Sequence, residues 1–195
     1  MVLKLQEVLS KRKENKTMHK VIKKVLVNEE QLDKRIKEVA KEISEDYKDK
    51  NPVMLCLLKG SISYFARLCE NMDIKLIYDF MKASSYHGTE TTGEVKVSSG
   101  PTVDLKGRHV IIVEDIIDTG LTLKNILKYL ETYEPASIEI TTLLDKPARR
   151  VVDGINPKYI GFVIPDEFVL GFGLDWNEEY RNLPYIGVLK DEYYK

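Results

Sequence analysis

The sequence predicts an α/β fold, a mainly parallel central sheet flanked by helices, and three observations carry that prediction. Short apolar runs rich in β-branched residues, among them Val53–Leu58 and Val110–Val113, have the continuous hydrophobicity of strands buried on both faces. Stretches with apolar residues spaced three and four apart lie between such runs, as amphipathic helices require. The run at 110–113 passes through Glu114 and Asp115 into a Thr-Gly-Leu-Thr turn that opens one of those helices. In a parallel sheet that turn falls at the carboxyl edge, where ligands collect.

The bounds are consistent with one domain. A chain of 195 residues buries a core without staples. Its 30 basic and 31 acidic residues exclude a dominant basic footprint for nucleic acid. Cys56 and Cys69 sit in apolar surroundings without C-x-x-C spacing, so buried free thiols in a reducing compartment are expected. No apolar run approaches the ~20 residues of a membrane span, and the N-terminal stretch lacks the continuous apolar core and small-residue cleavage site of a signal peptide, so none is expected. A soluble, cytoplasmic protein is the expectation.

Taken in order, residues 1–18 form a basic arm, either solvated or an amphipathic helix for a membrane or RNA surface, and a single domain covers 19–195. Val21–Val27 predicts an edge strand. Asn28 with Gln31 makes a capping box for a helix whose face is Leu32, Ile36, Val39, Ala40 and Ile43. Asn51-Pro52 breaks it, and Val53–Leu58 is a buried strand ending in Lys59-Gly60-Ser61. The next helix carries Ile62, Phe65, Ala66 and Cys69. Asp73–Met81 alternates and predicts a strand with Ile74, Leu76, Tyr78 and Phe80 on its buried side. The Ser-, Thr- and Gly-rich Lys82–Gly93 is a loop long enough to be a lid, and Glu94–Ser98 pairs back as a hairpin strand.

Beyond the 110–113 strand, Leu123, Ile126, Leu127 and Leu130 define a helix that ends before Pro135. Ser137–Leu144 is a strand delivering Asp145-Lys146-Pro147 to the same edge. Lys158–Ile164 is another, Phe168–Phe172 returns after a Pro165 turn, Gly171–Trp176 is a loop, and Tyr185–Leu189 is a last short strand.

The chemistry gathers at three loops. Asp118 to Leu123 offers Thr119 and Thr122 hydroxyls and the free N–H groups of a helix start, an anion site. Asp118 is either the cap of that helix or a general acid or base on whatever lies beyond the anion. Glu114 and Asp115, adjacent at the end of a buried strand, must reach solvent, a cation or hydroxyl donors, because unpaired burial costs several kcal/mol. A vicinal diol supplies such donors. Phosphate, diol and carboxylates within one loop describe a ribose 5-phosphate. Lys59-Gly60-Ser61 is a second anion site in form, though a Gly at a strand-to-helix turn is commonly only geometry. Lys146 by itself reads as a surface lysine.

Val110-Ile-Ile-Val-Glu-Asp-Ile-Ile-Asp-Thr-Gly-Leu-Thr-Leu123 closely resembles the phosphoribosyl diphosphate (PRPP) signature of type I phosphoribosyltransferases, in the form found in hypoxanthine-guanine phosphoribosyltransferases. Leu57–Ser61, Ser85-Tyr86, Asp145-Lys146 and Gly161–Arg181 resemble the family in order, so the resemblance spans residues 20–190. It implies a Rossmann-like type I fold with a small hood lobe built from N- and C-terminal segments. It implies Mg2+-dependent transfer of phosphoribosyl from PRPP to hypoxanthine or guanine, giving IMP or GMP and pyrophosphate, in a homodimer or homotetramer.

The resemblance also assigns roles. Glu114 and Asp115 hold the ribose hydroxyls, and Asp118, Thr119, Gly120, Leu121 and Thr122 hold the 5-phosphate, with Asp118 managing the proton at purine N7. Lys59 and Gly60, at an unusual peptide, contact pyrophosphate together with Arg181. Asp175, with Glu114 and Asp115, holds Mg2+. Lys146 donates to the purine 6-oxo group, Phe168 stacks on the base, and main chain near Val169 and Asp175 reads its other edge. Ser85 and Tyr86 lie in the closing lid. Pro147 and the detail of Lys82–Gly93 depart from the family pattern, and residues 1–18 have no counterpart in it. A PRPP-sensing regulator that binds nucleic acid is the rival reading, with only the N-terminal arm as its basic face. Within the enzyme class, xanthine and adenine remain open as bases.

Overall fold

The computed structural model describes residues 18–85 and 95–194. In chain order its strands are β1 (Ile22–Val27), β2 (Val53–Leu58), β3 (Ile77–Ser85), β4 (Val95–Ser99), β5 (His109–Ile117), β6 (Ser137–Asp145), β7 (Tyr159–Val163), β8 (Val169–Leu170) and β9 (Ile186–Leu189). The α-helices are α1 (Glu29–Asp46), α2 (Ile62–Glu70) and α3 (Leu121–Glu131). The main sheet runs β4-β3-β2-β5-β6-β7, parallel except for the antiparallel β3-β4 hairpin. A small antiparallel sheet, β1-β9-β8, joins the two ends of the chain and forms the expected hood.

The alternation of the strands divides the core between the sheet's faces. Met54 and Cys56 of β2 and Ile111 and Val113 of β5 pack with α1 and α2, while Val53, Leu55, Val110 and Ile112 pack with α3. Both faces being covered explains why these strands are apolar throughout. The capping box of α1 is present in both halves: Asn28 Oδ1 accepts from Gln31 N–H, and Gln31 Oε1 accepts from Asn28 N–H, each at 2.9 Å. Cys56 and Cys69 are buried free thiols, and burial pushes both up to about 12, which makes them poor nucleophiles.

Three readings of the sequence are corrected. The strand expected at 73–81 begins at Ile77 and runs to Ser85, so residues 82–85 are strand and not loop. Its inward side is also the opposite one: Asp79 and Met81 are buried, whereas Tyr78 and Phe80 are exposed at 50% and 39%. The inversion follows from Asp79. Its carboxylate accepts hydrogen bonds from the N–H groups of Phe80, Thr102 and Val103 and from the Thr102 hydroxyl, and so ties β3 to the chain that returns from the hairpin. Those donors hold its carboxyl below the usual carboxylate value against the opposing effect of burial. Finally, α2 is rotated from its expected face, burying Tyr64, Phe65, Leu68 and Cys69 and leaving Ile62 and Ala66 exposed. Tyr64 is drawn inward by a 2.7 Å hydrogen bond with Thr141 of β6.

Candidate active site

The carboxyl ends of β2, β5 and β6 bring three loops to one edge of the sheet. After β2 the chain passes through a cis Leu58–Lys59 peptide, the unusual peptide expected there. Gly60 then lies directly against β5. A Cβ at Gly60 would fall 1.7 Å from Asp115 Oδ2, so only glycine leaves room for that carboxylate. Ser61 completes the junction by accepting a hydrogen bond from Asp115 N–H at 3.1 Å.

β5 continues through the carboxylates to Ile117, so Glu114 and Asp115 are strand residues whose direction the ladder to β6 fixes. Asp115 Oδ1 accepts from Ile116 N–H at 2.8 Å. Glu114 Oε2 is buried and, among the described residues, has no hydrogen-bond partner. Burial, then the neighbouring Asp115 charge, drives the Glu114 carboxyl well above its usual value; burial likewise raises Asp115, to about 6. Two carboxylates held this way favour a cation or a pair of hydroxyl donors.

Beyond β5 the loop encloses a cavity of about 150 Å³ lined by Glu114, Ile116, Ile117, Asp118, Thr119, Gly120, Thr122 and Leu123. Gly120, at φ +81°, is the N-cap of α3, so the positive end of that helix lies at the cavity; Leu121 N–H donates to Thr119 Oγ1 at 3.4 Å. Asp118 does not cap the helix, one of its two expected readings. Its Oδ1 accepts from Arg149 Nε at 2.9 Å. A larger groove of about 460 Å³, lined by Cys69, Met72, Ile74, Lys75, Leu76 and Tyr78, lies apart from the strand ends and gathers no comparable polar groups.

The third loop embraces the second. Lys146 N–H donates to Ile117 O, Val151 N–H to Thr119 O, and Arg150 Nη1 to Asp118 O, at 3.0 to 3.1 Å. Arg150 also pairs with Asp145. Arg149 and Arg150 escaped the sequence reading, although two adjacent arginines on the same loop as Lys146 are a visible signal. Lys146 itself is buried at 7% exposure, against the surface-lysine reading. Its Nζ donates to Glu167 O at 2.7 Å and lies 3.6 Å from Asp166, which leaves an ammonium donor for a further acceptor. Phe168, next to that carbonyl, meets Trp176 edge-on at 5.6 Å and Tyr194 at 5.3 Å, and remains 37% exposed. Val169 is buried in β8.

A hood loop closes the fourth side. A Cβ at Gly173, φ +105°, would fall 2.0 Å from Gly60 O, so the two loops touch through glycine. Arg181 donates from Nη1 to Gly173 O at 2.8 Å and from Nη2 to Asp175 Oδ1 at 2.8 Å. Glu178, also absent from the sequence reading, accepts from Lys59 Nζ at 2.8 Å. Of the expected site residues, Tyr86 lies outside the described residues, as does the arm up to residue 17, and Ser85 ends β3.

Residues 24–177 match the phosphoribosyl transferase domain family. The chain is 51% identical over 180 residues to a hypoxanthine-guanine phosphoribosyltransferase of Lactococcus lactis, covering 92% of this chain and 97% of the relative. Among solved structures, a hypoxanthine phosphoribosyltransferase from Staphylococcus aureus superposes with a TM-score of 0.88 at 47% identity, over 93% of this chain and 98% of that one. A hypoxanthine-guanine-xanthine phosphoribosyltransferase superposes at 0.81 with 38% identity, over 89% and 100%.

Proposed function

The chain belongs to the phosphoribosyl transferase family, and from that premise we propose that it is a purine-salvage enzyme moving the phosphoribosyl group of PRPP onto hypoxanthine or guanine. IMP or GMP and pyrophosphate are the products. One observation carries the site assignment: an unpartnered Glu114 oxygen beside Asp115, on the same loop as an anion-sized cavity at a helix start.

In this reading the ribose hydroxyls donate to Glu114 and Asp115, and the 5-phosphate docks on the Asp118 to Thr122 turn. Lys146 donates to the purine 6-oxo oxygen, the base lies against Phe168, and main chain near Val169 and Asp175 reads the far edge. Lys59, Gly60 and Arg181 receive the pyrophosphate. Asp118, drawn off Arg149, takes the proton that purine N7 must lose. Closure of the segment containing Ser85 and Tyr86 would keep water from an oxocarbenium-like sugar.

Mg2+ fits this site. Among the described residues no cluster of three or more metal-ligating side chains exists. Mg2+ ordinarily takes one or two carboxylates and completes its shell with water and phosphate oxygens. Glu114 and Asp115 on the strand side, or Asp175 across the crevice, are the carboxylates that would hold it, as a pair or singly and not as one three-carboxylate cluster. When bound, it would neutralise charge building on the departing pyrophosphate.

Buried free thiols suit a reducing, cytoplasmic setting, and no helix among the described residues is long and apolar enough to cross a membrane. The exposed Ile62, Tyr78 and Phe80 favour self-association as a homodimer or homotetramer. The deciding experiment is a competition assay with purified protein, PRPP and Mg2+ across hypoxanthine, guanine, xanthine and adenine. Consumption of the first two is expected. Failure to consume either overturns the proposal.

A further inference from the structure

The hood loop contains a carboxylate in a place that ordinary turn chemistry would give to glycine. Trp176 and Glu179 exchange both backbone hydrogen bonds, Trp176 N–H to Glu179 O at 3.2 Å and Glu179 N–H to Trp176 O at 3.0 Å. The two residues between them, Asn177 and Glu178, have φ of +52° and +66°. Positive φ at both central positions is the type I′ geometry, for which Asn-Gly is the preferred pair. Here the second position is glutamate, an L-residue in a left-handed conformation that costs it free energy.

Its side chain shows what that placement achieves. Glu178 Oε2 accepts from Lys59 Nζ at 2.8 Å and lies 3.4 Å from Arg181 Nη2. One oxygen thus bridges the two cations that the preceding reading assigns to pyrophosphate, from a turn more than a hundred residues away from Lys59 in the chain. Asp175 sustains the arrangement by accepting from Glu178 N–H at 2.9 Å and from Arg181 at 2.8 Å. Both cations draw the Glu178 carboxyl below its usual value, in keeping with a carboxylate that stays ionised against them.

We infer that Glu178 is an internal stand-in for pyrophosphate: its carboxylate holds Lys59 and Arg181 in the free protein, exchanges with the diphosphate when it arrives, and returns as it leaves. The inference rests on the reading of Lys59 and Arg181 as the diphosphate-binding cations. Competition by an attached carboxylate weakens diphosphate binding without removing any donor. It also supplies a partner at the moment of release, above all for Lys59, since Arg181 keeps its pairing with Asp175. Product release limits turnover in many enzymes that close over their substrates, and an exchange partner acts on that step.

The test uses full-length protein with Glu178→Gln and Glu178→Gly. The glycine variant suits the backbone at φ +66°, so its unfolding temperature is expected to be at or above that of the parent. Calorimetric titration with inorganic pyrophosphate and Mg2+ should show both variants binding more tightly, by about two- to fivefold, the range of one exposed ion pair. The difference should shrink as salt is raised. Steady-state inhibition by pyrophosphate should strengthen in parallel, with lower kcat and lower KM for PRPP. Unchanged or weaker pyrophosphate binding in both variants would overturn the inference. Failure of the enzyme to use hypoxanthine or guanine, with pyrophosphate binding intact, would count against the substrate reading and leave this one standing.

Discussion

The two sides of the crevice hold their charges in opposite ways. On β5, Glu114 and Asp115 are carried by a central strand, and Glu114 keeps a buried oxygen with no hydrogen-bond partner among the described residues. Across the crevice, Lys59, Asp175, Glu178 and Arg181 are carried by loops, and each is ion-paired or hydrogen-bonded with another of the four. The difference follows from what the backbone permits. A strand locked between β2 and β6 cannot turn its side chains toward a partner, so its carboxylates stay poised at a cost in stability. A loop relaxes until its charges meet. One half of the site is therefore complementary to a ligand before it arrives, and the other must exchange its internal partners for the ligand's.

The largest expected effect is at Asp118, which stands where the two regimes meet: it follows the strand, yet Arg149 already holds it. Asp118→Asn keeps its shape and loses the proton-accepting carboxylate, so turnover should fall roughly 10²- to 10⁴-fold with little change in PRPP affinity. Single-turnover kinetics with PRPP and hypoxanthine would check it. Wild-type turnover with a lowered unfolding temperature would instead class Asp118 with the loop charges, as a partner of Arg149 only.

Gly60→Ala tests how rigid the strand side is. The added methyl would collide with Asp115 Oδ2. A displacement on the order of 1 Å in a positioned group costs about 10²-fold in kcat/KM. Activity equal to wild type would show that the carboxylate yields easily, and the contrast between the two sides would fail. Lys146→Ala comes next. Removing a buried donor that faces the base should cut discrimination of hypoxanthine over adenine by roughly tenfold or more, read from the ratio of kcat/KM values. An unaltered ratio would reject Lys146 as the reader of the purine.

How much of this was legible in the sequence divides along the same line. The strand side was partly readable, because a continuous apolar run marks a buried strand; Val110–Val113 announced the strand and the turn beyond it, but β5 runs on to Ile117 and carries Glu114 and Asp115 within it. The capping box at Asn28 and Gln31 was equally local. What escaped depended on distant contacts. Asp79 reverses the face of β3 because donors at Thr102 and Val103 reach it, and nothing near residue 79 encodes that. Tyr64 rotates α2 toward Thr141. Glu178 went unread because only the fold brings it to Lys59, and the role of Arg149, though its loop was marked by two adjacent arginines, shows only once the fold brings it to Asp118.

The smallest expected effect bears on the two buried carboxylates alone. Burial raises Asp115 to about 6 and lifts Glu114 well above its usual value. In the unfolded chain both return to near 4, so between about pH 4 and those raised values the native state binds more protons than the unfolded one. Stability from this pair is then full below about pH 4 and is lost as pH rises through about 6 and beyond. Glu114→Gln removes one of the two titrating groups. Its unfolding free energy should match wild type near pH 4 and exceed it at pH 8, by an amount on the order of 1 kcal/mol, read as a higher unfolding temperature there. By the same linkage, hydroxyl donors or a cation arriving at the pair favour the ionised form, so PRPP with Mg2+ should bind more tightly as pH rises through about 6 and release protons measurable by calorimetry in buffers of different ionisation enthalpy. If wild type and Glu114→Gln decline in parallel from pH 4 to 8, Glu114 is already solvated in the free protein, and the strand side is no more poised than the loops that face it.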